Sequence, residues 1–342
     1  MQKIDLKTDI YDLFQYELLS IEDMMRSCFS DDVSQINTIG EYLLLAPGKR
    51  IRPLLLLLIT RIFNYHNHQE TNLIEGKCIK IAAAIELVHI GTLVHDDVVD
   101  DSIIRRFRPS INARWGNMIA VLAGDFIFCA AFELTILSHA TALKILSAAL
   151  AAIVRGEVIQ LSYWRNKTYI NEYEYYNVVQ AKTCALFEAT LDIAGLLSKQ
   201  KISVRKNLRK MGTHIGTIFQ IADDYLDYFC TTEITGKSQF NDFLEGKITM
   251  PIIMVLAYAN REERAALDRM LLQEPVRTLS DAQAVLALLQ KYEIHKLIAK
   301  KLFQMYEEFH AFAAQVLPNN QYTHYVDAII MRIINQVTNS TI

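Results

Sequence analysis

Residues that interrupt helices are scarce along this chain. Its 342 residues include only 12 Gly and 6 Pro, which is about half of ordinary usage. Apolar residues recur at helical spacing almost everywhere, and runs of alternating β-branched residues are few. A β sandwich needs many short strands joined by turns, and this chain lacks the residues that form such turns. The sequence therefore predicts an all-α protein.

The apolar periodicity divides the chain into thirteen predicted helices. They cover residues 5–29, 34–46, 53–65, 75–101, 112–137, 141–163, 171–198, 203–231, 247–259, 261–272, 279–290, 292–316 and 321–338. The prolines fall between these segments or in their first turns, where proline is tolerated. The one soft candidate for a boundary is 274–280. We therefore expect a single domain over residues 1–342.

Composition excludes several classes of protein. The formal net charge is −3, so no global basic field favours a nucleic-acid partner. The five cysteines are odd in number and form no CxxC pair, which argues against a disulfide framework or a zinc ribbon and favours a cytoplasmic location. The most apolar stretches are 54–59, which is too short to span a bilayer, and 81–94, which contains Glu86 and His89. No transmembrane segment is expected.

Two acidic clusters of identical spacing each follow an apolar run. They are Asp96, Asp97 and Asp100 in the sequence DDVVD, and Asp223, Asp224 and Asp227 in the sequence DDYLD. On a helix, carboxylates four residues apart project from one face. Like charges at the end of a buried helix cost stability unless a polyvalent cation neutralises them. Oxygen ligands favour Mg²⁺ or Mn²⁺, so two facing clusters could hold one diphosphate through bridging metals. The alternative for one cluster alone is a solvated acidic helix end.

Basic residues accompany both clusters. Lys49 and Arg52 lie in GKRIRP at the start of a predicted helix, where backbone amides also attract anions. Arg105 and Arg106 follow the first cluster, Lys182 lies in a long predicted helix, and Lys237 and Lys247 follow the second cluster. Each segment alone could be an ordinary solvated turn. Together they equip the chain for two diphosphates, one held by metal and the other held directly by Arg and Lys.

The order and spacing of these motifs resemble one enzyme family. The motifs are GKRIRP at 48–53, DDVVD at 96–100, RRFRP at 105–109, GDF at 124–126, KT at 182–183, FQIADDYLD at 219–227, GK at 236–237 and GKITMP at 246–251. Over about residues 40–260 the chain resembles the trans-prenyl diphosphate synthases, or polyprenyl synthetases. The resemblance implies helices around a deep central cavity, a homodimer and three Mg²⁺ ions, which Mn²⁺ can replace. It implies that the enzyme condenses isopentenyl diphosphate with an allylic diphosphate. Transient contact with a membrane for product release is left open.

The resemblance also assigns roles to individual residues. It implies metal ligation by Asp96, Asp100 and Asp223, with Asp97, Asp224 and Asp227 as supporting members of the catalytic set. Thr183 and Gln220 match residues near the developing cation. The residues that match isopentenyl diphosphate contacts are Lys49, Arg52, His89 and Arg106. The residues assigned to the allylic diphosphate are Arg105, Lys182, Lys237 and Lys247.

Three positions depart from the family pattern. Phe107 and Phe240 stand where the family usually has Gly, and Ile248 stands where it usually has Pro. If those glycines normally adopt a positive φ, Phe requires local strain or a rearranged loop. The departures bear on the placement of Arg105, Arg106 and Lys237, and no aspartate of either cluster is missing.

The implied chemistry needs no Ser, Cys or His nucleophile. A neutralised diphosphate leaves, an allylic cation forms in a dry pocket, and the isopentenyl double bond attacks it. His95 is therefore expected to be a hydrogen-bonded structural histidine. Two alternatives stay open: a class I terpene cyclase, which binds one diphosphate, and a regulatory subunit of a heteromeric prenyl synthase.

Product length depends on the side chains below the first cluster. The residues on that face of the helix are Gly91 or Thr92, Val88 and Ala84, which are small or medium in size. Short-chain members of the family carry a bulky aromatic residue about five positions before the first aspartate. One helical turn is about 5.4 Å deep, so each turn without a large side chain admits roughly one more isoprene unit. We expect a medium-to-long product, with octaprenyl diphosphate as the best single length; the alternative is that Gly91 only lets another helix pack closely.

Overall fold

A computed structural model describes residues 6–46, 48–64, 71–166, 168–230, 239–273 and 276–338. Over these ranges the chain is almost entirely helical, and its one sheet is a two-stranded hairpin. The prediction of an all-α protein is confirmed.

The helices begin and end close to the predicted positions. In chain order they are α1 (Leu6–Leu13), α2 (Gln15–Ser27), α3 (Ser34–Leu44), α4 (Ile51–Phe63), α5 (Thr71–Val99), α6 (Ile111–Trp115), α7 (Asn117–Ser138), α8 (Ala140–Arg165), α9 (Glu172–Val179), α10 (Ala185–Leu197), α11 (Ile202–Phe229), α12 (Asn241–Leu244), α13 (Met250–Tyr258), α14 (Arg261–Asp268), α15 (Leu279–Lys291), α16 (Ile294–Val316) and α17 (His324–Thr338). Two π-helical turns, π1 (Gln180–Cys184) and π2 (Arg269–Gln273), and two short strands, β1 (Ile104–Arg105) and β2 (Arg108–Pro109), complete the elements.

Local chemistry explains where several helices start. Asn171, Asn260 and Thr278 each form a capping box, in which the side chain accepts the third amide of the helix and an acidic residue binds back. The single helix predicted over 112–137 is instead two helices, because Gly116 between them adopts φ +84°. The single helix predicted over 5–29 is likewise divided at Phe14, whose φ and ψ are −114° and 19°.

The chain forms two compact units, each made of several segments. Unit 1 comprises Met1–Leu150, Leu186–Gly212 and Phe312–Ile329, and unit 2 comprises Ala151–Ala185, Thr213–Ala311 and Ile330–Ile342. The soft boundary suggested by the sequence, 274–280, does not separate the units, because its described residues, 276–280, lie inside unit 2. That the two units form one domain stays a prediction.

Helix α5 runs through the core of unit 1. Every side chain from Ile81 to Val88 is buried, and Leu54–Ile59 of α4 are buried as well. Helix α7 packs against α5 through two glycines. A Cβ atom at Gly91 of α5 would lie 2.6 Å from the ring of Phe128, and one at Gly124 of α7 would lie 2.1 Å from the ring of His95. Each helix thus uses a missing side chain to receive an aromatic or imidazole ring of the other.

The core of unit 2 lies around the second half of α11. Tyr225, Tyr228 and Phe243 are almost fully buried there, and the rings of Tyr225 and Phe229 stack with their centroids 4.6 Å apart. This half of α11 carries the second acidic cluster. The apolar run before that cluster therefore serves the core, as the sequence indicated.

Two helices are long and apolar enough to cross a membrane by length and composition alone. One is the Gly76–Val99 part of α5, whose apolar window is 67% buried, and the other is α7, whose window is 33% buried. Core helices of soluble proteins pass the same test, so α5 is explained by its burial. The exposed apolar face of α7 was not anticipated from the sequence.

Candidate active site

The first acidic cluster lies at the end of α5 in unit 1. The amide of Asp100 donates to the carbonyl of Asp96 at 2.8 Å, so the helical turn continues through the cluster and places these two side chains on one face. Both are partly exposed. Asp97 is buried and accepts a 2.6 Å hydrogen bond from Nε of Arg105. The cluster therefore separates into two accessible carboxylates and one that forms a buried ion pair.

The hairpin that carries Arg105 has a strained tip. Its strands pair Arg105 with Arg108, so Arg106 and Phe107 form a two-residue turn, with φ of +51° and +64°. Two positive φ values define a type I′ turn, which usually contains Asn-Gly. Phe107 therefore adopts a left-handed conformation that favours glycine, the case for which the sequence analysis expected local strain or a rearranged loop. Its ring is 58% exposed.

The residues predicted to bind isopentenyl diphosphate all belong to unit 1. Arg52 is buried, and its guanidinium lies 4.3 Å from the centroid of the Phe187 ring. His89 lies about two turns before Asp96 on α5. Desolvation, and then the positive charges of Arg52 and Arg106, hold the pKa of His89 well below its usual value. His89 is therefore a neutral hydrogen-bonding group in a cationic environment. Lys49 is exposed and lies just before the start of α4.

A buried ion pair fixes the segment that precedes α4. Nη1 of Arg50 lies 2.8 Å from Oε1 of Glu86, and both side chains are less than 10% exposed. Arg50 adopts φ +46°, a left-handed conformation that costs an L-residue about 1–2 kcal/mol. Removing either partner of such a pair would leave an uncompensated buried charge. The pair therefore holds the backbone that presents Lys49 and Arg52.

The four positions predicted to set product length lie on α5. Ala84 and Val88 are fully buried, and Oγ1 of Thr92 donates to the carbonyl of His89 at 2.8 Å. Gly91 lies directly against Phe128. Close packing is therefore one use of Gly91, and its effect on product length stays a prediction.

His95 has the structural role that the sequence favoured. Its Nε2 lies 3.0 Å from the carbonyl oxygen of Val121, and its ring makes an edge contact with Phe128 at 5.4 Å. Gly124 provides the space for the ring. The prediction of a hydrogen-bonded structural histidine is confirmed.

The second acidic cluster lies near the end of α11 in unit 2, and its three aspartates differ. Asp223 is exposed, whereas Asp224 is 1% exposed. The carboxylate of Asp224 accepts hydrogen bonds from the Tyr175 hydroxyl at 2.6 Å, from Nε2 of Gln220 at 2.8 Å and from the amide of Met250 at 3.1 Å. Burial raises the pKa of Asp224 to about 7, and the nearby Asp242 charge adds to the rise.

Asp227 anchors the loop after the cluster. Its carboxylate accepts from the amide of Asn241 at 3.0 Å and from the amide of Asp242 at 3.2 Å, so it occupies the start of α12. Phe240 precedes these amides with φ +63° and a ring that is 6% exposed and lies against Tyr228. Phe240 thus also adopts a left-handed conformation that favours glycine, here with the side chain buried.

Lys182 and Thr183 lie in the π-helical turn π1 rather than in a regular helix. A π turn inserts one extra residue into a helix and is frequent at functional sites. Lys182 forms an ion pair with Glu157 of α8, and its Nζ donates to Oε1 of Gln160 at 3.0 Å. Gly156 allows this approach, since a Cβ there would lie 2.8 Å from the Lys182 amide nitrogen.

Two further lysines, Lys247 and Lys237, were assigned to the allylic diphosphate. Lys247 is half-buried and forms an ion pair with Glu245 at 2.6 Å. Lys237 lies outside the described residues.

Sequence reasoning missed several groups that shape these sites. They are Arg50 with Glu86, Glu157 and Gln160 beside Lys182, and Tyr175 and the Met250 amide beside Asp224. Glu86 left a signal, because a charged residue interrupted an apolar run three positions before His89. Tyr175 and Glu157 left none, since an isolated Tyr or Glu on an amphipathic helix is ordinary.

Comparisons with known proteins agree with this geometry. A family model described as polyprenyl synthetase matches residues 33–289. The chain belongs to the polyprenyl synthetase family. It is 36% identical to the octaprenyl diphosphate synthase of Escherichia coli K12 over 255 residues, which cover 74% of this chain and 76% of that protein. It is also 36% identical to an all-trans-nonaprenyl-diphosphate synthase (geranyl-diphosphate specific) of Rhodobacter capsulatus, over 78% of this chain and 79% of that protein.

A solved structure extends the match to nearly the whole polyprenyl synthetase chain. The polyprenyl synthase of Caulobacter crescentus, complexed with calcium and isoprenyl diphosphate, is 29% identical, with a TM-score of 0.88 and 98% of each chain covered. The protein is therefore a trans-prenyltransferase enzyme, and its family uses isopentenyl and allylic diphosphates with a divalent metal. Other relatives are named for heptaprenyl and geranylgeranyl products, so membership does not fix the chain length.

The acidic side chains of this polyprenyl synthetase suit a divalent ion that keeps water and substrate ligands. Among the described residues, no three His, Cys, Asp or Glu side chains come close enough to hold a metal by themselves. Mg²⁺ typically takes one or two protein carboxylates and completes its octahedron with water and phosphate oxygens. The accessible pair Asp96 and Asp100 and the exposed Asp223 match that requirement, whereas Asp97 and Asp224 are buried against other donors.

Proposed function

We propose that this enzyme is a Mg²⁺-dependent synthase that elongates an allylic diphosphate with isopentenyl diphosphate to a medium-to-long trans-polyprenyl diphosphate. The observation that carries the proposal is that the aspartates of each acidic cluster differ in solvent exposure. In both, the first aspartate is accessible and the second is buried and hydrogen-bonded. The buried second aspartate fixes the end of the helix, and the accessible first aspartate keeps its carboxylate oxygens available to a metal ion.

Three Mg²⁺ ions are proposed, and the residues that would bind them are Asp96, Asp100 and Asp223. The bound metal supplies neutralisation of the charge that develops on the leaving diphosphate. Arg105 adds a cation whose position the buried Asp97 fixes, and Lys182 adds one whose position Glu157 and Gln160 fix. These side chains bind and orient the allylic diphosphate.

The second diphosphate is assigned to unit 1. Lys49, Arg52 and Arg106 would bind isopentenyl diphosphate directly, with neutral His89 as a hydrogen-bond donor. Desolvation lowers the pKa of Arg106, and the Glu86 charge opposes that shift. An anion beside Arg106 would therefore be bound in partly desolvated surroundings, where a charge–charge contact is stronger than in water.

Incorporation of isopentenyl diphosphate tests the proposal and its rivals. We expect incorporation with an added allylic primer and Mg²⁺, and its loss when EDTA replaces the metal. A class I terpene cyclase would instead release a cyclic hydrocarbon from the allylic diphosphate alone. A regulatory subunit would be inactive until a partner chain is added, so inactivity of the pure chain with Mg²⁺ contradicts the proposal.

Octaprenyl diphosphate is the proposed product length. Ala84 and Val88, which lie on the Asp96 face of α5, are small to medium and buried, and the Escherichia coli and Rhodobacter capsulatus relatives are named for octaprenyl and nonaprenyl products. Chromatography of the dephosphorylated product measures the length. We expect Gly91→Tyr to shift it towards shorter chains, because the new ring must displace Phe128. The matched control is Gly76→Tyr on the same helix, where a Cβ meets no atom within 4 Å.

A homodimer is proposed as the working state. The support is α7, whose Met118, Leu122 and Leu137 are 83%, 63% and 72% exposed. A stripe of large apolar side chains on a core helix is typical of an interface between copies. Sedimentation of the wild type and of Leu122→Glu tests this: the wild type should sediment as a dimer and the variant as a monomer. A cytoplasmic location is also proposed, and fractionation of the producing cells tests it.

A further inference from the structure

A continuous hydrogen-bond chain links the KT motif to the second acidic cluster within unit 2. Oγ1 of Thr183 donates to Oε1 of Gln220 at 2.6 Å. Nε2 of Gln220 then donates to Oδ1 of Asp224 at 2.8 Å. The side-chain amide of Gln220 is therefore held at both ends.

The far end of this chain is fixed by α9 and α13. The hydroxyl of Tyr175 donates to Oδ2 of Asp224 at 2.6 Å, and the amide of Met250 donates to the same oxygen at 3.1 Å. Tyr175 and Asp224 are 4% and 1% exposed, and Met250 is fully buried. With both carboxylate oxygens engaged and no solvent beside it, Asp224 cannot rotate without breaking a buried hydrogen bond.

This arrangement dictates which end of the Gln220 amide faces Thr183. An ionised carboxylate only accepts hydrogen bonds, and Asp224 faces the NH₂ group of Gln220, whose Nε2 lies 2.8 Å from Oδ1. The amide oxygen then points away from Asp224 and towards Thr183. That oxygen has two lone pairs, so it accepts from Thr183 and keeps one lone pair for a positive charge. A partial negative charge at this position stabilises a carbocation.

We propose that Tyr175 is a positioning residue that, through Asp224, holds the amide oxygen of Gln220 towards Thr183 and the developing allylic cation. The inference rests on the proposed placement of Thr183 and Gln220 beside that cation. Tyr175 touches neither substrate nor metal and acts only on the orientation of Gln220. Its hydroxyl should therefore affect the chemical step and leave substrate binding unchanged.

The test is a double-mutant cycle on kcat. We expect Tyr175→Phe to lower kcat about 10-fold, the low end of the cost of losing an outer partner, with the KM of both diphosphates unchanged. Gln220→Leu should lower kcat more, and adding Tyr175→Phe to it should cause no further loss, since residues in one network are non-additive. The matched control is Tyr176→Phe on the same helix, whose hydroxyl is associated with Lys301 instead and should leave kcat within about twofold.

Asp224→Asn provides a second variant if the Tyr175 change impairs folding. Its NH₂ group can turn towards Gln220 and reverse the amide, so kcat should fall, and adding Asp224→Asn to Gln220→Leu should cause no further loss. Thermal unfolding establishes that each variant is folded. Multiplicative losses in the double variants, or a KM that rises as much as kcat falls, would overturn the positioning role. An unchanged kcat in Gln220→Leu would instead refute the placement of Gln220 beside the cation.

Discussion

The same five-residue pattern, DDxxD, folds into different surroundings in the two units. In both copies the first aspartate, Asp96 or Asp223, is accessible and the second, Asp97 or Asp224, is buried. Asp97 is compensated by the guanidinium of Arg105, a full positive charge. Asp224 is held by the neutral donors Tyr175, Gln220 and the Met250 amide.

The difference shows what helical spacing determines and what it leaves open. Spacing sets which carboxylates share the accessible face, because side chains four residues apart lie one turn above each other. The partners of the buried carboxylate lie outside that spacing: Arg105 belongs to the following hairpin, and Tyr175 and Met250 belong to other helices. Compensation by neutral groups leaves the pKa of Asp224 raised to about 7 by its burial, while Asp97 forms an ion pair.

The largest expected effect comes from the accessible aspartates. Asp96→Ala or Asp223→Ala should lower turnover by more than about 10³-fold, since one lost oxyanion contact costs about 10²–10³ and a lost metal anchor costs more. Steady-state incorporation of isopentenyl diphosphate measures this. The control is Asp101→Asn, an exposed neighbour at φ +50° where Asn is tolerated. Near-normal turnover at saturating Mg²⁺ in either Ala variant would contradict the shared role of the two clusters.

The second-largest expected effect is on substrate binding by the basic residues near the first cluster, rather than on the chemical step. Arg52→Ala should raise the KM for isopentenyl diphosphate about 10- to 100-fold, the worth of one charge-assisted hydrogen bond, with a smaller change in kcat. The diphosphate it contacts does not leave during the reaction, so the loss falls on binding. Arg61→Ala on the same helix is the matched control, because Arg61 pairs with Glu17 instead. An unchanged KM in Arg52→Ala would refute the assigned contact.

Phe107 in unit 1 and Phe240 in unit 2 both have positive φ, so replacing each by Gly compares the cost of that backbone strain with the gain from burying the ring. At the exposed tip, Phe107→Gly should raise the free energy of unfolding by about 0.5–1 kcal/mol, because it relieves a left-handed L-residue while adding chain entropy. Phe240→Gly should lower it by about 2 kcal/mol, because the lost burial of the ring exceeds the relieved strain. Denaturant unfolding measures both. A change of the same sign in the free energy of unfolding of both variants would show that burial of the ring does not distinguish these positions.

The sequence predicts the helices and the accessible carboxylates better than it predicts the tertiary partners of the buried ones. The helices followed from periodicity and the scarcity of Gly and Pro. The accessible carboxylates followed from spacing, and the departures from the family pattern at Phe107 and Phe240 marked two positions where φ is positive. The partners Arg105 for Asp97 and Tyr175 for Asp224 did not, because tertiary packing selects them. The π turn at Lys182 also escaped prediction, since one inserted residue hardly alters an apolar period.

The smallest expected effect concerns His89 in its cationic surroundings. Its folded-state pKa is depressed, so below pH 6.5 the unfolded chain takes up a proton that the folded chain does not. His89 therefore contributes stability above pH 6.5 that is lost as pH falls. We expect the unfolding free energy of the wild type to decline more steeply between pH 6.5 and 5 than that of His89→Gln. Parallel curves for the two proteins would show that His89 titrates normally in the folded state.

The central claim is that the first aspartate of each cluster binds metal while the second positions its surroundings. The most direct test is the Mg²⁺ concentration for half-maximal activity in four single variants, namely Asp96→Asn, Asp97→Asn, Asp223→Asn and Asp224→Asn. We expect the first and third to raise that concentration about 10-fold or more, and the second and fourth to lower kcat with little change in the Mg²⁺ requirement. An equal rise in all four variants, or no rise in Asp96→Asn and Asp223→Asn, would contradict the account.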